Sequence, residues 1–209
     1  MTQDHSARWD RIAPRYDDVS AGLERRFLAA SRPWVTGRAR GRVLEVGVGT
    51  GANLPYYGAD IELVGIERSR EMLARARERA RSLGLEVRLE EGDAGALAFD
   101  DDSFDTVVST YVLCCVTDER RALAEMVRVL RPGGRLLLAD HVVSDRWWVR
   151  AGQALLDGVT VPVQGEHFRR RPVTVARQLG LEVVETRRTT LGALERVHAC
   201  LPGDGGAEA

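Results

Sequence analysis

Between residues 43 and 141 the chain alternates two hydrophobic patterns. Apolar runs of strand length recur at residues 43–46, 61–66, 86–89, 105–110 and 135–139. Segments with helical spacing separate them. A short helix is predicted at 52–57. After Glu67, Ser69 has N-cap chemistry and opens a helix with Met72, Leu73, Ala76 and Ala80 on one face and Arg and Glu on the other. Gly84 closes it. A helix over 119–130 turns Leu123, Met126, Val127 and Leu130 inward, and Pro132-Gly133-Gly134 stops it. Pro172 starts a further helix over 172–179. Two last strands, 181–186 and 196–201, form a hairpin-like pair. Strands alternating with helices predict right-handed βαβ units. The expected fold is α/β: a Rossmann-like, doubly wound, mostly parallel seven-stranded sheet with helices on both faces.

The flanks depart from this alternation. Residues 6–17 set Trp9, Ile12, Ala13 and Tyr16 on one helix face, and Pro14 predicts a kink or two short helices meeting there. A second helix over 23–34 puts Leu23, Phe27, Ala30 and Trp34 on one side. The stretch 142–171 exceeds what a crossover needs. It carries Trp147-Trp148, a helix-like apolar run with Ala151, Leu155 and Leu156, and Gly165-Glu166-His167-Phe168 followed by three arginines. We read it as an insertion covering the ligand site, with the tryptophan pair packed into the cover. The organisation expected is one domain over 1–201, with an N-terminal helical lid (1–38), the cover (142–171) and a disordered small-residue tail (202–209).

Composition narrows the function. A chain of 209 residues with net charge −1 has no global attraction for nucleic acid. All 30 basic residues are arginine, which excludes Schiff-base lysine chemistry. The three cysteines, Cys114, Cys115 and Cys200, form no disulfide framework and have no metal-ligand spacing, so no metal is expected. They point to a reducing, cytoplasmic setting. No apolar run reaches the roughly 18–20 residues that cross a bilayer. The first ten residues are polar and acidic, and no signal peptide is expected.

The most informative stretch is the first strand running into Gly47-Val48-Gly49-Thr50-Gly51. Glycines at a strand end let backbone N–H groups approach a ligand. In a parallel sheet, ligands sit beyond the carboxyl ends of the strands. Glu67, Asp93, Thr110, Tyr111 and His141 all fall at such ends. The turn alone leaves two cofactors open. Gly47-x-Gly49-x-x-Ala52, with Glu67 twenty residues after Gly47, also satisfies the dinucleotide fingerprint of a nicotinamide oxidoreductase. Three features decide. Glu45 and Gly51 extend the loop to Glu-x-Gly-x-Gly-x-Gly, Asp93-Ala94 follows the third strand, and Leu130-Arg131-Pro132-Gly133-Gly134 precedes the fifth.

Together these resemble the class I S-adenosyl-L-methionine (SAM)-dependent methyltransferases, from about Trp9 to His141 closely and loosely beyond. The resemblance implies roles. Glu45, Gly47, Gly49 and Gly51, with Asn53 beside them, would hold the methionine part of SAM. Glu67 would accept both ribose hydroxyls. Asp93 and Ala94 would read the adenine, and Arg68 and Met72 would line its pocket. Ser109, Thr110 and Tyr111 would lie near the sulfonium. The Trp9…Ile12-Ala13…Tyr16-Asp17 pattern matches the family's N-terminal lid, which makes Tyr16 a ligand contact. Residues 109–116, 139–142 and 153–157 look like two groups, the bacterial phosphatidylethanolamine N-methyltransferases and the membrane-associated alkyl-thiol methyltransferases of animals. The membrane anchor of the second group is not expected to carry over.

Methyl transfer from a sulfonium is an in-line displacement in which proximity and alignment dominate. His141 is the one well-placed titratable candidate to act on the acceptor, alongside Tyr111 and Tyr16, with His167 a second. Cys114-Cys115 read as small buried hydrophobes. The acceptor expected is a thiol or amine of a small, partly apolar or lipid-like molecule, in a monomer or homodimer, with peripheral membrane contact through the Trp147-Trp148 region as an alternative to cover packing. O- or C-methylation of a phenolic, quinone-like or natural-product acceptor is the second reading. A NAD-binding oxidoreductase and a non-catalytic SAM-binding module stand behind it.

Overall fold

The computed structural model describes residues 5–203. Seven strands make one sheet: β1 (Arg42–Val46), β2 (Glu62–Glu67), β3 (Arg88–Glu91), β4 (Phe104–Thr110), β5 (Leu130–His141), β6 (Glu182–Thr189) and β7 (Leu194–Cys200), in the order β3-β2-β1-β4-β5-β7-β6. The first five pair in parallel, and β7 runs antiparallel to β5 and β6. The expected mostly parallel α/β sheet is therefore what forms. The order reverses between β1 and β4, so the loops leaving their carboxyl ends diverge and open a crevice.

Alternate strand residues feed two cores. On one face α5 (Glu119–Arg128) and α7 (Pro172–Gln178) pack Leu123, Met126, Val173 and Ala176 against Leu44, Val46, Phe104 and Leu136. On the other, α3 (Arg32–Thr36) and α4 (Arg70–Ser82) pack Val35, Leu73, Ala76 and Ala80 against Val43, Val108 and Leu137. The predicted inward face of α4 is buried in full, and the Ser69 hydroxyl caps it by accepting from Met72 N at 3.2 Å.

β5 starts earlier than its apolar pattern indicated. Leu130 already pairs with Phe104, the Pro132-Gly133-Gly134 turn bulges out, and pairing resumes at Arg135 opposite Thr106. The turn is fastened from outside the strand pair, since Gly133 N donates to Leu201 O and Leu201 N to Gly134 O, each at 2.9 Å.

The N-terminal segment divides at Pro14. Helices α1 (His5–Ile12) and α2 (Tyr16–Leu23) meet through a 3-10 turn, Ala13–Arg15. The second helix expected here is instead broken into a π-type turn (Glu24–Leu28), a 3-10 turn (Ala29–Ser31) and α3. Its buried positions are Leu28, Ser31, Val35 and Thr36. Leu23 is 50% exposed and Ala30 is also on the surface. A polar demand rotates it: Arg32 turns inward to bond Glu24 and Asn53.

The insertion holds α6 (Trp147–Gln164), whose amphipathicity is reversed. Gln153, Asp157 and Thr160 are buried, while Trp147, Leu155 and Val159 are 73%, 78% and 64% exposed. The tryptophans do not pack into the cover, because the polar side chains take the inner face. Gln153 Nε2 donates to Val142 O and Phe168 O, its Oε1 accepts from Ser144 N, and Asp157 accepts from Phe168 N and Arg169. Among the described residues no helix is long and apolar enough to cross a membrane. The tail expected from residue 202 lies, from 204 onward, outside the described residues.

Candidate active site

A cavity of about 350 Å³ opens at the carboxyl ends of β1, β2, β3 and β4. That volume lies within the range of small-molecule sites. The glycine turn forms one wall. Gly47 and Gly49 line the cavity, with φ of +72° and +56°. At Gly49 a side-chain carbon would meet no protein atom within 4 Å, so the turn presents bare backbone to open space. Gly51 does not line the cavity. A carbon there would come within 2.7 Å of Leu54 and 3.2 Å of the Ala76 backbone, so its smallness lets the loop settle on α4.

Glu67 joins the two loops that flank the cavity. One carboxylate oxygen accepts from Gly49 N at 3.0 Å and the other from Ser69 N at 2.9 Å. Burial raises its pKa, and the backbone N–H bonds oppose the rise. Asp93 lies half-exposed across the cavity. Its Oδ1 caps its own turn by accepting from Gly95 N at 2.9 Å, and Oδ2 faces Arg68 at 3.7 Å. Arg68, Met72 and Ala94 line the same end.

Glu45 and Asn53, expected to touch the ligand, lie behind the wall instead. Both are buried and absent from the lining. Asn53 Nδ2 donates to Glu45 Oε1 (2.8 Å) and to Thr110 Oγ1 (2.9 Å), Tyr57 OH donates to Glu45 Oε2 (2.9 Å), and Arg32 donates to Asn53 Oδ1 (2.9 Å). Both Glu45 oxygens are thus occupied, and burial pushes its pKa up to about 7. This network ties β1, the loop after it, β4 and α3 together. Ser109 is likewise buried and does not line the cavity.

At the far end stand Tyr16, the first residue of α2, Thr110 and Tyr111. Tyr111 adopts a left-handed φ of +59°, a strained state for a bulky side chain and one found at functional sites. Its hydroxyl donates to Leu28 O (3.1 Å), and the Arg32 guanidinium lies 5.6 Å from its ring centre. Burial pushes the pKa of Tyr16 and of Tyr111 up to about 12. Both stay protonated at neutral pH, so they offer ring faces and a donor but no base. His141 sits behind Tyr111, not in the lining, with ring centres 5.5 Å apart, and Phe168 of the 142–171 insertion, none of whose residues lines the cavity, meets its other side at 5.1 Å. Burial lowers its pKa against the pull of Asp140, which favours the neutral imidazole. His167 is tied by its backbone to Cys114 O at 2.8 Å.

Three residues that bind the helical segment to the site carried no assigned role in the sequence reading. Asp17 accepts from Thr50 Oγ1 (2.7 Å) and pairs with Arg79 (2.6 Å), pinning α2 to the glycine turn. Asp10 accepts from Ser69 Oγ (2.6 Å) at the start of α4. Arg32 lines the cavity while paired bidentately to Glu24.

Comparison with known proteins bears on the family and the fold. Residues 44–138 match a family model described as a methyltransferase domain. A phosphatidylethanolamine N-methyltransferase of Cereibacter sphaeroides is 46% identical over 108 residues, 51% of this chain and 53% of that one, so the chain spans about half the length of that relative. A ubiquinone/menaquinone biosynthesis C-methyltransferase of Dinoroseobacter shibae is 38% identical over 209 residues, covering 87% of this chain and 84% of the relative. The crystal structure of a SAM-dependent methyltransferase from Thermotoga maritima, described as a possible histamine N-methyltransferase, superposes with TM-score 0.70 at 25% identity, over 92% of this chain and 97% of the other.

Proposed function

The chain belongs to the SAM-dependent methyltransferases, and from that premise we propose that it moves the SAM methyl group to a thiol or amine of a small, partly apolar acceptor. The observation that carries the reading is the continuity of one cavity, from the bare backbone at Gly49, past the Glu67 carboxylate and Asp93, to Tyr16 and Tyr111. The donor set fits SAM: N–H groups for a carboxylate, a carboxylate for two ribose hydroxyls, and a carboxylate for an adenine amine. When bound, SAM supplies an electrophilic methyl on a sulfonium.

The chain's own residues supply alignment. Gly47 and Gly49 approach the methionine end. Glu67 holds the ribose while its two backbone bonds hold it. Asp93, Ala94, Arg68 and Met72 frame the adenine. Glu45, Asn53 and Gly51 act one step back, by fixing the loop. Thr110, Tyr16 and Tyr111 close around the sulfonium with ring faces, which attract diffuse positive charge. Trp9, Val112, Cys115 and Val116 give the acceptor end apolar walls and help exclude water. Held at reacting distance, such a pair of reactants gains about 7–11 kcal/mol from proximity. His141 is the group we assign to the acceptor side, since its Nδ1 is buried and without a partner.

The relatives support an acceptor with apolar character, one by its phospholipid name and one by its quinone name. A route for such an acceptor lies along α6. Its exposed Trp147, Trp148, Leu155, Leu156 and Val159 face outward beside Arg146 and Arg150, and its one acid, Asp157, is buried. An apolar strip edged with arginine fits the interface of an anionic bilayer. Vesicle flotation would lose the protein on Leu155→Glu.

The deciding experiment pairs calorimetry with an acceptor panel. S-adenosyl-L-homocysteine (SAH) is expected to bind and NADH not to, and methyl-labelled SAM is expected to mark thiols or amines. NADH binding without SAH binding would overturn the family role. Label found only on a quinone-type carbon would favour C-methylation, the second reading, which the relative aligned over 87% of this chain supports.

A further inference from the structure

Behind Tyr16 and Tyr111, under the cover, three donor groups of different chemistry meet. Cys114 follows β4, His141 ends β5 and Glu166 follows α6. The Cys114 sulfur, a ring nitrogen of His141 and a carboxylate oxygen of Glu166 all lie within 4.8 Å of one another. Cys114 is 1% exposed. His141 Nδ1 is buried and has no hydrogen-bond partner. Native proteins rarely leave such an atom unsatisfied.

Acidic and basic groups both surround the cluster. Asp140 is buried beside it, with burial the main cause of its raised pKa. The hydrogen bond shared with Cys115 and burial raise the Cys114 thiol well above its usual range, and Asp140 and Glu166 add to the rise. Burial and Asp140 likewise raise Glu166, with Arg8 opposing. Glu119, close to Asp140 and Arg170, has a buried Oε1 without a partner. Arg170 is committed to the Leu113 carbonyl.

The surrounding backbone holds the three donors in place. Asp140 accepts from Leu113 N (2.7 Å) and His141 N (2.8 Å), which locks the turn after β4 to the end of β5. Gly165 caps α6 in a left-handed conformation, Thr160 Oγ1 donates to Glu166 O (2.9 Å), and His167 N donates to Cys114 O (2.8 Å), so Glu166 is pinned on both sides. Supporting bonds of this kind characterise metal sites.

We infer that Cys114, His141 and Glu166 form a zinc site bordering the acceptor end of the cavity. A sulfur, nitrogen and oxygen set suits Zn²⁺, and three protein ligands with an open fourth position is the pattern of zinc that acts on a substrate. The ion would satisfy His141 Nδ1 or reorient the ring toward it. The fourth ligand is then the acceptor thiol, and this part rests on the methyltransferase reading. The Cys114 S–H proton leaves to solvent when zinc binds, and the acceptor's S–H proton leaves as its own Zn–S bond forms. A sulfur lone pair then attacks the methyl carbon. The new C–S bond forms as the sulfonium C–S bond breaks, giving a thioether and SAH.

The test uses the full chain, stripped with a chelator and titrated with Co²⁺, which reports thiolate ligation by a near-ultraviolet charge-transfer band. One equivalent is expected to bind, with that band, and Zn²⁺ is expected to displace it. Glu166→Gln should weaken binding by at least about tenfold, and Cys114→Ser should erase the band. If buried Cys114→Ser fails to fold, the half-buried Glu166→Gln decides. No saturable uptake, or uptake unchanged in Glu166→Gln, overturns the inference. SAH calorimetry on the same samples separates the two readings: SAH binding without Co²⁺ uptake removes the zinc alone, and Co²⁺ uptake without SAH binding removes the methyltransferase reading alone.

Discussion

Gly49 and Gly51 belong to one motif and both have positive φ, yet substitution should fail in different ways. A methyl at either position places an L residue in the left-handed region, which costs about 1–2 kcal/mol. At Gly49 nothing further is lost in the protein, because the new carbon meets no atom within 4 Å. Gly49→Ala should therefore lower the melting temperature by about 2–8 °C, at about 2–4 °C per kcal/mol for a chain of this size. The methyl stands where the methionine end of SAM is proposed to sit, so SAH affinity should fall by at least about tenfold, or about 1.4 kcal/mol. Gly49→Val should abolish binding. At Gly51 the carbon comes within 2.7 Å of Leu54 and 3.2 Å of the Ala76 backbone. Overpacking adds about 1–3 kcal/mol. Gly51→Ala should melt about 4–20 °C lower, while whatever remains folded binds SAH nearly as the parent does. Differential scanning calorimetry and SAH titration at a temperature where both variants are folded make the comparison. Unchanged SAH affinity in Gly49→Val would refute the loop assignment. A Gly51→Ala protein that melts normally but has lost SAH would refute the division of labour.

Glu67→Gln removes the charge from an acceptor of two backbone N–H bonds and two proposed ribose bonds; losing charge-assisted bonds worth about 1.5–3 kcal/mol should weaken SAH binding by roughly 10- to 150-fold, and an unchanged dissociation constant would remove the ribose role. Glu45 has a folded pKa raised to about 7 by burial, against an unfolded value near 4.5. The native state therefore holds the extra proton between those values, and its stabilising contribution is full below pH 4.5 and lost as pH rises toward 7 and beyond. Urea titrations from pH 5 to 8 should show a steeper loss of stability in the parent than in Glu45→Gln, and parallel curves would contradict this. Asp17→Asn breaks the charged ties to Thr50 and Arg79 and should loosen α2; limited proteolysis between residues 5 and 31 should quicken, and SAH should slow it less than in the parent. Equal cleavage rates would show that these ties do not hold the segment.

The sheet was legible in the sequence because each βαβ unit carries its own period and its own stop signals. Glu67, Asp93, Thr110 and Tyr111 were legible for the same reason: a residue closing a strand must lie at the ligand edge of a parallel sheet. The side of the wall a residue serves was not legible. Glu45 and Asn53 share the motif with Gly49, but hydrogen bonds to Tyr57, Thr110 and Arg32 turn them away from the cavity, and those partners come from other elements. Gly51 looked like a ligand glycine, and the approach of Leu54 and Ala76 makes it a packing glycine. Helix α6 has an ordinary apolar period, and only Gln153, Asp157 and Thr160 finding partners on the inner face reverses it. Cys114, His141 and Glu166 stand too far apart in the chain for any spacing rule to join them, and the ends of β4, β5 and α6 bring them together. Local pattern determined the elements and their ends, since period, capping and turn chemistry act within a few residues. Tertiary structure decided which polar groups are satisfied within the protein and which are left for a ligand, because that balance is struck between segments distant in sequence.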